Sequence, residues 1–298
     1  MKRIWGVACA AALLTATPAS AQASAGCVVE RPGDGDIKAF AARYFAAAND
    51  AAIDALVACL GEPDPAVRDD FAFALWTQGL RAKHLKPDGL RHAAQQLAAI
   101  LIEPDDKAGF RRPFAALALS EVARADRFEP FLTDVELHRL AESGANYLRG
   151  VTDYRGFVVG EGWRHGVAHG ADLLMQLALN PRLTRAEADL LLGAIASQVA
   201  PAGPHAYVHG EARRLARPLL FLAKRPDIDD EAWAAWFHRL HPGDAPRWQA
   251  PYASAEGLAA VHNSSAFGEA VYVAGSESQD PQVRRLAPLA VRLLEALP

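Results

Sequence analysis

Helix-forming stretches recur roughly every 20 residues along this chain, and no stretch reads as a convincing strand. Apolar residues at helical spacing run through residues 36–48, 51–60, 66–80, 89–102, 110–124 and 133–148. The pattern resumes at 162–179, 186–199, 231–240, 255–275 and 281–297. Asn49 or Asp50, Asp64-Pro65, Pro87-Asp88 and Asp229 or Asp230 mark helix starts. Thr133 with Glu136, and Thr184 with Glu187, form capping boxes. Helices joined by short breaker-rich loops bury their apolar faces only by packing on each other. The expected fold class is therefore all-α, an irregular stack of antiparallel helix hairpins, with an α/α toroid as the alternative. No strict sequence repeat is visible, and only residues 153–159 suggest extended backbone.

The first 21 residues have the form of a secretory signal. Lys2 and Arg3 precede a short apolar run, and Ala19-Ser20-Ala21 offers a cleavage site before Gln22. Residues 22–298 are expected to form a single all-α domain in the periplasm or outside the cell. No later apolar run is long enough for a membrane span. The formal charge is −4, and −6 once Lys2 and Arg3 are removed, which argues against nucleic acid as a partner. Cys27 and Cys59 remain after cleavage, an even pair in an oxidising compartment, so a disulfide is favoured over two free thiols.

Residues 153–180 concentrate the unusual side chains. As a helix over 162–179, this stretch sets His165, His169 and Asp172 within about 60° of one another, with Glu161 extending the stripe. Trp163, Val167, Leu174 and Leu177 fall on the other side. Gly162, Gly166 and Gly170 form a ridge whose cost, about 1 kcal/mol each, suggests close approach of a neighbouring backbone. Two histidines at i and i+4 converge on one side and can share a zinc-type ion, with Asp172 as third ligand or as an orienting group. The stretch is not HExxH, because Gly166 stands in place of the glutamate. The alternative is a pair of histidines hydrogen-bonded in a packed interior.

Residues 205–215 repeat the theme. His205 and His209 are again four apart, while Tyr207, Glu211 and Arg214 share another face. Helical spacing would also allow a Glu211–Arg214 ion pair. Arg111 and Arg112 sit in the first turn of their helix, against its dipole, and call for a carboxylate from elsewhere.

Three resemblances add to this reading. Asp64-Pro65-Ala66-Val67-Arg68-Asp69 resembles the turn of HEAT-type repeats, which implies a HEAT-like α-solenoid with an arginine and an aspartate tying neighbouring helices. RGFVVGEGWRHGVAHGADLL at residues 155–174 resembles the signature of an uncharacterised bacterial family, domain of unknown function 2785. DPAVRDDFAFAL, RRPFAAL at 111–117 and EARRLA at 211–216 follow in the order of that family, over residues 37–240. The resemblance implies a helical, HEAT-like domain with no assigned activity, and this chain departs from it in its export signal. Residues 162–168 are also similar to the HG-containing repeats of lanthionine cyclases, which are zinc-bearing toroids.

No G-x-S-x-G elbow, Walker loop, G-x-G-x-x-G, CxxC or EF-hand loop is present. Two functions fit what remains. One is an exported binding protein for a protein or small-molecule ligand, recognised by Arg155, Trp163, His165, His169, Asp172, Tyr207 and Arg214. The other is a metal-dependent hydrolase with a zinc-type divalent ion on His165, His169, Asp172 and His209, and Glu161 or Glu211 as general base.

Overall fold

The computed structural model describes residues 26–33 and 35–298; the expected signal at 1–21 lies outside them. The chain is all-α. Helices α1 (Ile37–Ala47), α2 (Asp50–Cys59) and α3 (Pro65–Val67) lead into a π-helical turn at Arg68–Phe73 and then α4 (Ala74–Arg81). Next come α5 (Pro87–Leu101), α6 (Arg111–Phe128) and α7 (Asp134–Arg149). A two-stranded hairpin, β1 (Phe157–Val158) and β2 (Gly162–Trp163), interrupts the helices before α8 (Gly166–Ala178). Then follow α9 (Arg185–Val199), α10 (Glu211–Leu222), α11 (Asp230–His238), α12 (Pro246–Gln249), α13 (Ala255–Glu277), α14 (Pro281–Arg284) and α15 (Ala287–Ala296).

Alternate helices stack in two rows. In one, α4, α6, α8, α10 and α13 each touch the next; in the other, α2, α5, α7 and α9 do the same. Buried apolar side chains from Ala41 to Leu293 form one connected cluster between the rows. Trp76 and Trp236 lie fully within it, and their indole N–H groups donate to the carbonyls of Ala118 and Leu192, at 3.1 and 3.0 Å. A buried indole nitrogen without such an acceptor would be costly. No helix among the described residues is long and apolar enough to cross a membrane.

Local chemistry sets most helix starts. Both capping boxes form: Glu136 N–H donates to Thr133 Oγ1 at 3.2 Å, and Glu187 N–H to Thr184 Oγ1 at 3.3 Å. Each cap contributes about 0.5–2 kcal/mol. The expected carboxylates reach the basic start of α6. Glu103 holds Arg111 at 2.7 Å, and Asp106 accepts the backbone N–H groups of Gly109, Arg111 and Arg112. At the opposite end of α6, buried Asp126 accepts from the backbone of Phe131 and Leu132 and from Asn180 and Arg182, which locks two inter-helix loops together.

Cys27 and Cys59 are bridged, tying the start of the described chain to the end of α2. The closing helix differs from expectation. It breaks after Arg284 and restarts at Ala287, because Pro288 cannot return a hydrogen bond to the preceding turn. Helix α6 runs four residues further than the sequence suggests, to Phe128.

Candidate functional site

The central stretch does not begin as a helix. Gly162 has φ +78° and His165 has φ +57°, so residues 160–165 close a hairpin, and α8 starts only at Gly166. Phe157 pairs with Trp163 and Val158 with Gly162. The pairing continues as backbone bonds from Arg164 to Gly156 and from His165 to Arg155, at 3.0 and 3.1 Å. His165 is then the turn residue that swings the chain from strand into helix. A non-glycine residue in the left-handed region costs of order 1–3 kcal/mol and persists only where its surroundings hold it.

Those surroundings are specific. The His165 ring stacks on Trp163, centroids 4.6 Å apart and planes 24° apart. Its Nε2 lies 3.2 Å from the His209 carbonyl, which can only accept, so Nε2 carries the proton. Burial lowers its pKa below the ordinary histidine value, with the Glu211 charge acting in the opposite sense. His169 lies beneath it, ring centroids 5.9 Å apart, edge-on to Phe114 at 5.1 Å. Its Nδ1 is buried with no hydrogen-bond partner. Burial first, and then the charges of His165, Arg214 and Arg68, hold its pKa well below the usual range. Burial thus favours the neutral form of both imidazoles.

Glu211 is the first residue of α10 and is buried. One carboxylate oxygen accepts the His209 backbone N–H at 2.8 Å. The other faces two imidazoles, 3.9 Å from His165 Nε2 and 3.7 Å from His209 Nδ1. His209 stands edge-on to Trp163 at 5.7 Å. Gly156 lies directly beneath it; a Cβ there would fall 2.1 Å from His209 Nδ1.

Other expected site residues go elsewhere. Asp172 is held by Arg214 from α10 through two bonds, Nε to Oδ1 at 2.9 Å and Nη2 to Oδ2. This pair replaces the local Glu211–Arg214 pairing. Residues 205–209 are loop rather than helix, so His205 and His209 do not share a face. His205 stacks on Tyr154 at 5.1 Å. Tyr207 is buried, its hydroxyl within 3.0 Å of two Gln198 oxygens and its N–H bound to Asn263. Glu161 sits at the hairpin turn, paired with Arg164 at 2.5 Å. Arg155 is tied to Asp153 and to the Lys107 carbonyl. Among the described residues, no three His, Cys, Asp or Glu side chains stand grouped as a ready ion cage.

The ridge glycines have a different role from the one expected. Gly170 faces the side chains of Leu148 and Tyr147 on α7, where a Cβ would be 3.0–3.1 Å away, rather than a backbone.

Two arginines that the motif reading did not assign to the site support the hairpin from below. Arg68 is fully buried; its guanidinium lies 4.0 Å from the Phe110 centroid and 4.8 Å from that of Phe114. It donates to the carbonyls of Glu62, Pro63 and Glu161 at 2.9 Å and to Asp69 at 2.6 Å. Arg164 lies 4.2 Å from the same Phe110 ring and donates to the Ala108 carbonyl at 2.7 Å. The HEAT-type turn flagged Arg68 as a tie, but its partner, the Glu161 carbonyl, is 93 residues away. Above these supports the hairpin exposes apolar surface: Phe157 is 48% exposed, Val159 88% and Trp163 38%, with Val208 nearby in sequence to His209 at 68%. The Phe157 and Trp163 rings are 5.2 Å apart.

Fold and site together define an all-α protein interrupted by an aromatic hairpin, set over a largely buried histidine–glutamate cluster. The chain belongs to the family described as Protein of unknown function (DUF2785), whose model matches residues 97–273. That match starts later and ends later than the resemblance suggested; it includes the hairpin, α8 and α10 and leaves out α1–α4. No curated protein and no solved structure matches the chain.

Proposed function

We propose that this is an exported binding protein whose recognition surface is the hairpin carrying Phe157, Val159 and Trp163, backed by His165, His209 and Glu211. The observation that carries the reading is an exposed aromatic pair held rigid from below. Trp163 rests on a histidine in a strained conformation, and the hairpin turn is tied down through Arg68 and Arg164. Large apolar side chains fixed outward on a supported scaffold mark interaction surfaces, and tryptophan is enriched among the residues that dominate binding energy. Export is supported by the leader pattern and by a disulfide, which belongs to oxidising compartments.

The test places a photo-crosslinking amino acid at Val159 in the producing cell, with Val135 on α7, also exposed, as control. A discrete product from position 159 and none from 135 is expected, from protein whose N-terminus is Gln22. Trp163→Ala should then weaken the captured partner by about 2 kcal/mol, roughly thirty-fold. Equal crosslinking at both positions, or no effect of Trp163→Ala, would discard this surface.

One observation favours a second reading, the zinc-type hydrolase. Nδ1 of His209 and Nδ1 of His169 are buried without hydrogen-bond partners, and the Glu211 carboxylate faces His165 and His209. Unpartnered buried imidazole nitrogens are costly unless something fills them. On this reading His165, His209 and Glu211, which form no ready ion cage as they stand, rearrange to hold the ion. Stoichiometric zinc in the purified protein, lost in His209→Ala, would favour the hydrolase. Its absence after zinc loading would leave the binding protein alone.

A further inference from the structure

A separate cavity of about 530 Å³ lies where α4 and α6 end and α5 begins, remote in sequence from the hairpin. Its floor is apolar: Leu80, Leu85, Leu90 and Phe131 line it while belonging to the buried core. Phe128, 57% exposed, stands at its edge. Its rim is cationic, in a chain whose net charge is negative.

Four basic side chains line the cavity, and they divide into two kinds. Arg81 is taken by Glu121 through two bonds of 3.0 and 2.5 Å, and Lys83 pairs with Glu129 at 2.6 Å. Lys86 and Arg124 have no carboxylate partner among the described residues; Arg124 only lies over the Phe128 ring, at 4.8 Å. Cations near helix C-termini are favourable for the helices alone, which accounts for Arg81, in the last turn of α4, as a charge. It does not account for an open apolar floor beneath them. A cavity of this volume falls in the range of small-molecule sites.

We propose that this cavity binds a small amphiphile with one anionic head and an apolar body, a medium-chain fatty carboxylate in class. The head would meet Lys86 and Arg124, and the chain would cover the leucine floor. A bare inorganic anion would gain nothing from that floor, and a neutral apolar ligand would leave both cations unused.

Calorimetric titration of the whole mature protein with octanoate, decanoate and dodecanoate, below their micelle concentrations, tests this. Saturable one-site binding is expected, tightening about fourfold per added CH₂ until the cavity is filled. The double variant Lys86→Ala/Arg124→Ala removes one exposed and one half-buried cation and should weaken decanoate about tenfold. Decanol should bind about tenfold more weakly than decanoate. Trp163→Ala should leave the titration unchanged, which separates this site from the hairpin. Absence of saturation, equal affinity for decanol, or an unaltered double variant would overturn the proposal. Full competition by inorganic phosphate with no chain-length dependence would also overturn it, leaving a site for the anion alone.

Discussion

Arg68→Ala is expected to destabilise the protein by about 3–5 kcal/mol, read as a lower urea midpoint at unchanged slope. The side chain is fully enclosed, and its loss acts in three ways at once. The carbonyls of Glu62, Pro63 and Glu161 lose their donor, at a desolvation cost of about 1–3 kcal/mol for each that water cannot reach. Asp69 loses its counter-charge. The faces of Phe110 and Phe114 lose their cation and are left lining a void. Burial lowers the guanidinium pKa, and nearby Arg164 adds to that while Asp69 opposes it. Arginine stays charged well beyond such shifts. Arg68→Lys should recover little, since an ammonium cannot serve three carbonyls and a carboxylate while lying flat on a ring. The variant also separates support from recognition. Arg68→Ala should reduce both stability and crosslinking at Val159, whereas Trp163→Ala, which removes the stack on His165, should reduce crosslinking with a much smaller loss of stability. A loss of stability below about 1 kcal/mol in Arg68→Ala would show that the hairpin does not depend on this anchor.

The contrast between Arg68 and the capping boxes shows what was legible in the residues. Thr133 with Glu136, and Thr184 with Glu187, act over three residues, so their effect was readable from spacing alone. The all-α class followed for the same reason, since a helical period is a local property. The start of α8 was not readable. Hydrophobic periodicity passes over glycine, and it treated Gly162 and His165 as helical positions although both have positive φ. Nothing in the identity of His165 announces a left-handed turn; the stack on Trp163 and the bond to the His209 carbonyl hold it there. Arg214, the partner of Asp172, lies 42 residues away, and the Glu161 carbonyl, the one distant partner named for Arg68, lies 93 away, beyond any helical rule. Glu211 faces His165 and His209, yet His209 lies in a loop where the spacing predicts a helix.

Reduction of the Cys27–Cys59 bridge is expected to remove about 3–4 kcal/mol of stability, from a cross-link between residues 32 apart. The first helix explains why the protein would depend on it. On α1 only Ala41 and Phe45 are fully buried, and the Phe45 ring fills the space at Gly79 of α4, where a Cβ would fall 2.0 Å from it. Ile37, Phe40 and Tyr44 add only partly buried contacts to these two, whereas the bridge joins the segment before α1 to the buried end of α2. In the chain-entropy account the bridge acts by restricting the unfolded chain. Dithiothreitol should therefore lower the urea midpoint of the native protein, and the double variant Cys27→Ser/Cys59→Ser should match the reduced form and ignore the reagent. The same comparison tests the compartment. Protein recovered outside the cytosol should contain no free thiol among these two positions. Protein made without residues 1–21 and kept in the cytosol should contain two and unfold at the lower midpoint. Proteolysis of the reduced form should begin within residues 26–50, because that is the part the bridge restrains. If dithiothreitol leaves the midpoint unchanged although the thiols become titratable, α1 is held by its own packing, from Ile37 to Phe45, without the bridge. If two thiols titrate in protein recovered outside the cytosol before any reductant is added, the bridge is absent in solution and gives no support to export.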